Sequence, residues 1–124
     1  KIENKQPRKT PSILRIIAAT KYSIDGLKLA AKTESAFKQE LVASVFLLPL
    51  AIWLGENAIE QSLLIASVVM IMIVELLNTA VEAVVDRVSS DIHELSRQAK
   101  DLGSAAVFLS ISLAILVWML LLLN

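Results

Sequence analysis

The chain contains no cysteine. It therefore offers no disulfide framework, no thiolate nucleophile and no thiolate metal ligand. Histidine occurs once, at His93 in a polar stretch, and a nucleophile–histidine–acid triad is not credible there. The three glycines, Gly26, Gly55 and Gly103, are scattered, and none belongs to a Walker or Rossmann phosphate-binding pattern. The HRD and DFG elements of soluble protein kinases are missing as well. Basic residues are absent over a long stretch: all 12 Lys and Arg lie in 1–38 or 87–100, while 39–86 carries six acids and no base. The formal net charge of +0 hides this asymmetry, and no nucleic-acid partner is expected.

What is present is apolar. Hydrophobic residues make up 56% of 124 residues, above the norm for a soluble domain and enough chain for one domain. The expected class is an all-α membrane protein with three transmembrane helices and an N-terminal amphipathic surface helix. Residues 1–11, with two of the three prolines, read as a disordered basic lead, and no cleavable signal segment is expected there. In 12–33 basic residues alternate with an apolar face, predicting a helix that lies in the membrane interface; a helix packed on protein is the plainer alternative. Residues 34–54, 62–88 and 102–123 are the predicted spans, with 55–61 a polar turn and 89–101 a polar connection. Pro49 predicts a kink in the first span, and Trp53 and Trp118 read as interfacial anchors. By the positive-inside pattern the N-terminus and 87–101 face the cytoplasm, and the C-terminus lies outside.

Within the second span, Met70 to Arg87 reads MIMIVELLNTAVEAVVDR. Glu75, Asn78, Glu82 and Asp86 recur at spacings of 3, 4 and 4. At about 100° per residue they fall within roughly 80° of arc. A carboxylate at bilayer depth costs roughly 2.5–3.5 kcal/mol to insert, so the stripe needs a proton, a cation or a metal as partner. Polar glue between helices is the bland explanation, but such glue is usually Ser, Thr or Asn. Glu75 is expected about 10 Å below the cytoplasmic face, with Glu82 near it and Asp86 beyond it. If phosphate is handled without a glycine-rich loop, carboxylate-held Mg2+ and a lysine must do it. Glu34 and Glu82 suit the metal and Lys100 suits the transferring charge.

The runs VELLNTAVEAVVDR (Val74–Arg87) and HELSRQAKDLGSAAV (His93–Val107) resemble the signature of the prokaryotic diacylglycerol kinases. TESAFKQE (Thr33–Glu40) and IIAATKYSIDGLK (Ile16–Lys28) match in order and spacing. The resemblance implies a homotrimer of small integral-membrane subunits that transfers the γ-phosphate of MgATP to diacylglycerol, giving phosphatidic acid. It implies Glu75 as general base toward the lipid hydroxyl, Asn78 as a partner holding the reacting groups, and Glu34 and Glu82 as metal ligands. It places Arg15, Tyr22, Asp86, His93, Lys100 and Asp101 at nucleotide-binding positions beside Glu34 and Glu82. Arg15, Ser104 and Trp118 join Glu75 at positions near the lipid. Asp91-Ile92 departs from the acidic–aromatic pair common in the family.

The expected chemistry is direct in-line phosphoryl transfer, with catalysis by positioning and charge neutralisation. Three readings compete with it. An undecaprenol kinase of the same family keeps the chemistry and changes the lipid. A proton or ion channel would need polar residues through the outer half of the second span, where Leu63–Val74 offers only Ser67. A non-catalytic scaffold predicts no nucleotide binding.

Overall fold

A computed structural model describes residues 11–88 and 93–124, all helical apart from short junctions. The lead at 1–10 and the Asp91-Ile92 pair lie outside the described residues. Four helices follow in order: α1 (Ser12–Thr33), α2 (Ser35–Leu54), α3 (Ala58–Val88) and α4 (Glu94–Leu122). The last three are long and apolar enough to cross a membrane, whereas α1 is amphipathic with only Ala30 buried. α3 is the central element, packing on α4 along one side and on α2 along the other, and α1 meets α2.

Each junction has a local cause. α1 begins after Pro11, whose carbonyl accepts from the Arg15 N–H at 3.2 Å, and no side chain caps it. Glu34 alone separates α1 from α2, with extended backbone (φ −105, ψ 111). Its N–H still bonds Ala30 (2.9 Å) and its carbonyl already accepts from Lys38 (3.0 Å). One residue thus turns an interfacial helix into a spanning one and puts a carboxylate at the corner.

The turn after α2 is shorter than the expected 55–61, because α3 starts at Ala58. Asn57 explains the early start: its Oδ1 accepts from the Glu60 N–H at 2.9 Å, while Glu60 Oε2 accepts from the Glu56 N–H at 3.2 Å. Two N–H groups at the start of α3 and just before it are thus satisfied by side chains, Asn57 acting as the cap. Gln61 closes the turn by donating to the Ile52 carbonyl at 2.8 Å. A Cβ on Gly55 would sit 2.5 Å from Gln61 Cγ, so glycine is what this approach admits. α4 likewise starts earlier than the expected 102, at Glu94, because the His93 Nδ1 accepts from the Leu95 N–H at 3.0 Å. The polar run 94–101 is therefore helix rather than connection.

The packing is inside out relative to a water-soluble bundle. Small side chains face inward: Ala30, Ala51, Ala114, Ser44, Ser67 and Ser110 are buried, with Phe37 and Leu64 the largest fully enclosed. Phe46, Trp53 and Phe108 stand 70–79% exposed. Lipid tails are as apolar as these side chains, so little is gained by hiding them, and close helix approach favours small residues instead. The inward serines satisfy themselves. Ser44, Ser67 and Ser110 each donate to the carbonyl three residues back, Leu41, Leu64 and Val107, at 2.7–2.8 Å.

Candidate functional site

The polar stripe of α3 is buried at one end and open at the other. Glu75 is 8% exposed, Asn78 and Glu82 are half-buried, and Asp86 is exposed. The four residues therefore form a gradient along three helical turns, from bundle interior to the end of the helix. Asn78 Nδ2 donates to Glu82 Oε1 at 3.3 Å, one turn further along.

α4 supplies the facing wall. Lys100 Nζ lies 2.8 Å from Asp86 Oδ1, both side chains largely exposed. One turn closer to the bundle centre, Gly103 abuts Asn78: a Cβ there would collide with Asn78 Oδ1. The absence of a side chain at 103 lets α4 approach the stripe and seats Asn78 against its backbone. Asn78 Oδ1 is buried and has no hydrogen-bond partner among the described residues.

Glu40 of α2 belongs with this group, although sequence reasoning left it outside the site. It is half-buried and shares with Glu75 a groove of about 390 Å³, whose wall is completed by Ala36, Ala43, Val107 and Ile111. Glu40 Oε1 is buried without a partner among the described residues. The sequence signal was present: an acid placed between Lys38 and the apolar run from Leu41 has the same problem of depth as Glu75.

Glu34, at the α1–α2 corner, is half-buried and lines an open groove of about 640 Å³ between α1 and α3, opposite Leu76, Thr79 and Ala83. The charges of Glu34 and Glu82 both reach Glu75. No set of three His, Asp or Glu side chains is grouped to hold a metal among the described residues. Glu34 and Glu82 nevertheless supply the donor type Mg2+ prefers, and Mg2+ commonly takes one or two protein carboxylates with phosphate oxygens completing its shell. The donor set fits a nucleotide-borne Mg2+ rather than a self-contained metal cage.

The remaining candidates divide. Arg15 and Tyr22 are exposed on α1, with no described hydrogen bond or ion pair to the stripe. His93 spends its Nδ1 on the start of α4, leaving Nε2 for any further contact. Asp101 and Ser104 are exposed and flank Lys100 and Gly103 in sequence. Trp118 departs from its expected role as an interfacial anchor: its indole N–H turns inward and donates to the buried Ser67 Oγ of α3 at 3.0 Å. Indole needs an acceptor when it is not facing water or headgroups, and Ser67 is the one within reach.

These features have close relatives. The family model for prokaryotic diacylglycerol kinase matches residues 21–122. A diacylglycerol kinase of Escherichia coli is 51% identical over 113 residues, covering 91% of this chain and 93% of that protein. The Haemophilus influenzae diacylglycerol kinase is 49% identical over 110 residues, covering 89% and 93%. The diacylglycerol kinase of Pseudomonas aeruginosa is 45% identical over 110 residues, covering 89% of each chain.

Proposed function

The chain belongs to the prokaryotic diacylglycerol kinase family, and from that premise we propose how its own side chains carry the reaction. It is a bacterial membrane protein that phosphorylates diacylglycerol, with ATP as phosphoryl donor and phosphatidic acid as product. The observation that carries the mechanistic reading is the buried Glu75, the innermost member of a stripe whose outer end meets a lysine.

Glu75 is the general base. It accepts the proton of the diacylglycerol hydroxyl as that oxygen forms its bond to the γ-phosphorus and the bond to the leaving β-phosphate oxygen breaks. Glu40, sharing its groove, gives the proton a second carboxylate on which to settle. Asn78, held between Glu82 and the Gly103 backbone, helps hold the reacting groups in place. Glu34 and Glu82 hold Mg2+, which when bound neutralises phosphate charge. Lys100 swings from Asp86 to the transferring phosphoryl group, an exposed ion pair being weak enough to exchange. Arg15, Tyr22, Asp86, His93 and Asp101 contribute to the nucleotide pocket, and Arg15, Ser104 and Trp118 to the lipid side.

The active form is a homotrimer. Two buried acceptors without partners and the open groove beside Glu34 support completion of the site by another copy of the chain. The N-terminus and residues 87–101 face the cytoplasm, because all the basic residues lie in 1–38 or 87–100.

The reading is tested by side-by-side phosphorylation of diacylglycerol and undecaprenol in detergent micelles with Mg2+ and ATP. Strong preference for diacylglycerol is expected. Preference for undecaprenol moves the substrate to the other branch and leaves the site intact. No transfer to either lipid by a folded sample overturns the kinase reading.

A further inference from the structure

An apolar groove of about 330 Å³ runs from the carboxylate pair toward the opposite membrane face. Glu40, Ala43 and Ile111 line both this groove and the one holding Glu75, so the two adjoin. Its walls are Leu47 on α2, Met72 on α3 and Ile111 to Met119 on α4. The α4 side covers nine residues, about 12 Å of apolar length from first to last, against roughly 15 Å for half of the hydrocarbon core. A groove that is polar at one end, apolar beyond it and adjoining the base for a lipid hydroxyl fits one occupant, an acyl chain of the lipid whose hydroxyl reacts. Trp118 and Met119 line it at the α4 end away from Ile111.

The indole there is not held by packing alone. Ser67 is 6% exposed and doubly engaged, its Oγ donating to the Leu64 carbonyl at 2.8 Å and accepting from Trp118 Nε1 at 3.0 Å. Among apolar walls an indole N–H without an acceptor is unfavourable, so this contact selects one orientation of a large flat ring. We propose that Ser67 is a positioning residue which, through that hydrogen bond, fixes Trp118 as the end wall of the acyl-chain groove and so makes the kinase discriminate between acyl-chain lengths. This rests on the lipid-kinase reading for its substrate and on geometry for everything else.

The test uses the full chain in micelles with diacylglycerols of graded chain length. The wild type is expected to show an optimum length. Ser67→Ala is expected to flatten it, lowering the ratio of kcat/KM between the best and poorest lengths at least about fivefold, the scale of one lost hydrogen bond. The change should appear in KM rather than kcat, and Ser67→Thr, which keeps an Oγ, should restore the optimum. A second readout does not need turnover. In a Trp53→Phe background, Trp118 is the only tryptophan, and its quenching by diacylglycerols brominated at the chain terminus should depend on length in the wild type and lose that dependence in Ser67→Ala. Length-dependent quenching without phosphorylation would sink the kinase reading and support this one. An unchanged length profile in Ser67→Ala, an equal fall in kcat for all lengths, or quenching blind to length in the wild type overturns it.

Discussion

The two ends of the α3–α4 pair use polar side chains in opposite ways. Toward the α2–α3 turn the polar side chains named above close on the protein itself. Ser67 bonds backbone and indole, Gln61 bonds Ile52, and Asn57 and Glu60 accept from the N–H groups of Glu60 and Glu56 at the start of α3. Toward the opposite end the accounts are left open. Asn78 Oδ1 and Glu40 Oε1 are buried without partners, and Lys100 holds Asp86 only at the exposed surface. Buried polar atoms are normally satisfied, and a protein that leaves them unsatisfied does so where something else binds. On the proposed mechanism, the half near the α2–α3 turn is scaffold and the half around Glu75 is machinery, though both are cut from the same bundle of helices.

The strongest way to break this contrast is to neutralise Glu75. Glu75→Gln keeps the volume and removes the base, so kcat should fall by at least ~100-fold while helicity and oligomer size in detergent stay as in the wild type. Near-normal phosphorylation by Glu75→Gln would return the stripe to the role of interhelical glue. Next comes Lys100→Met. A group offsetting charge in the transition state is worth ~100-fold in kcat, and because the pair with Asp86 is exposed, the melting temperature should not follow. A loss of stability without a loss of rate would make the pair structural and shift the boundary between the two halves outward.

A smaller effect is expected where the halves are mechanically joined. Gly103→Ala puts a Cβ onto Asn78, and overpacking at such a contact costs about 1–3 kcal/mol. Both thermal stability in detergent and kcat should fall, because Asn78 must move away from Glu82 to make room. If stability falls and kcat does not, the position of Asn78 does not matter to the chemistry.

The sequence carried the outline because membrane physics writes it in composition. Three apolar runs, an amphipathic lead and the confinement of every base to two stretches gave three spans and a surface helix, and the 3-4-4 spacing put Glu75, Asn78, Glu82 and Asp86 on one face. Helix starts were harder to read, since the polar residues that mark loops by composition mark caps by geometry. Asn57 and His93 each begin a helix inside a stretch that reads as loop. Which neighbour each helix face meets was not legible. Glu40 joins Glu75 only through the rotation of α2 against α3. Trp118 reads as an interfacial anchor until its N–H is found 51 residues away on Ser67. Periodicity assigns a residue to a face of its own helix and is silent on which neighbour that face meets.

The mildest prediction probes the scaffold alone. Asn57→Ala removes the acceptor for the Glu60 N–H at the start of α3, a cap worth about 1 kcal/mol. Eighteen residues and about 27 Å of helix separate Asn57 from Glu75. A helix transmits a displaced end only if its intervening turns shift together, and α3 is clamped between them by the Ser67–Trp118 bond and, one turn past Glu75, by Gly103 against Asn78. The loss should therefore remain local, visible as a lower melting temperature in detergent and faster amide exchange near 58–61. KM for ATP, Mg2+ dependence and kcat should be those of the wild type. A fall in kcat matching the fall in stability would mean that the outer turn sets the depth of Glu75 in the membrane, and the scaffold would then be part of the machinery.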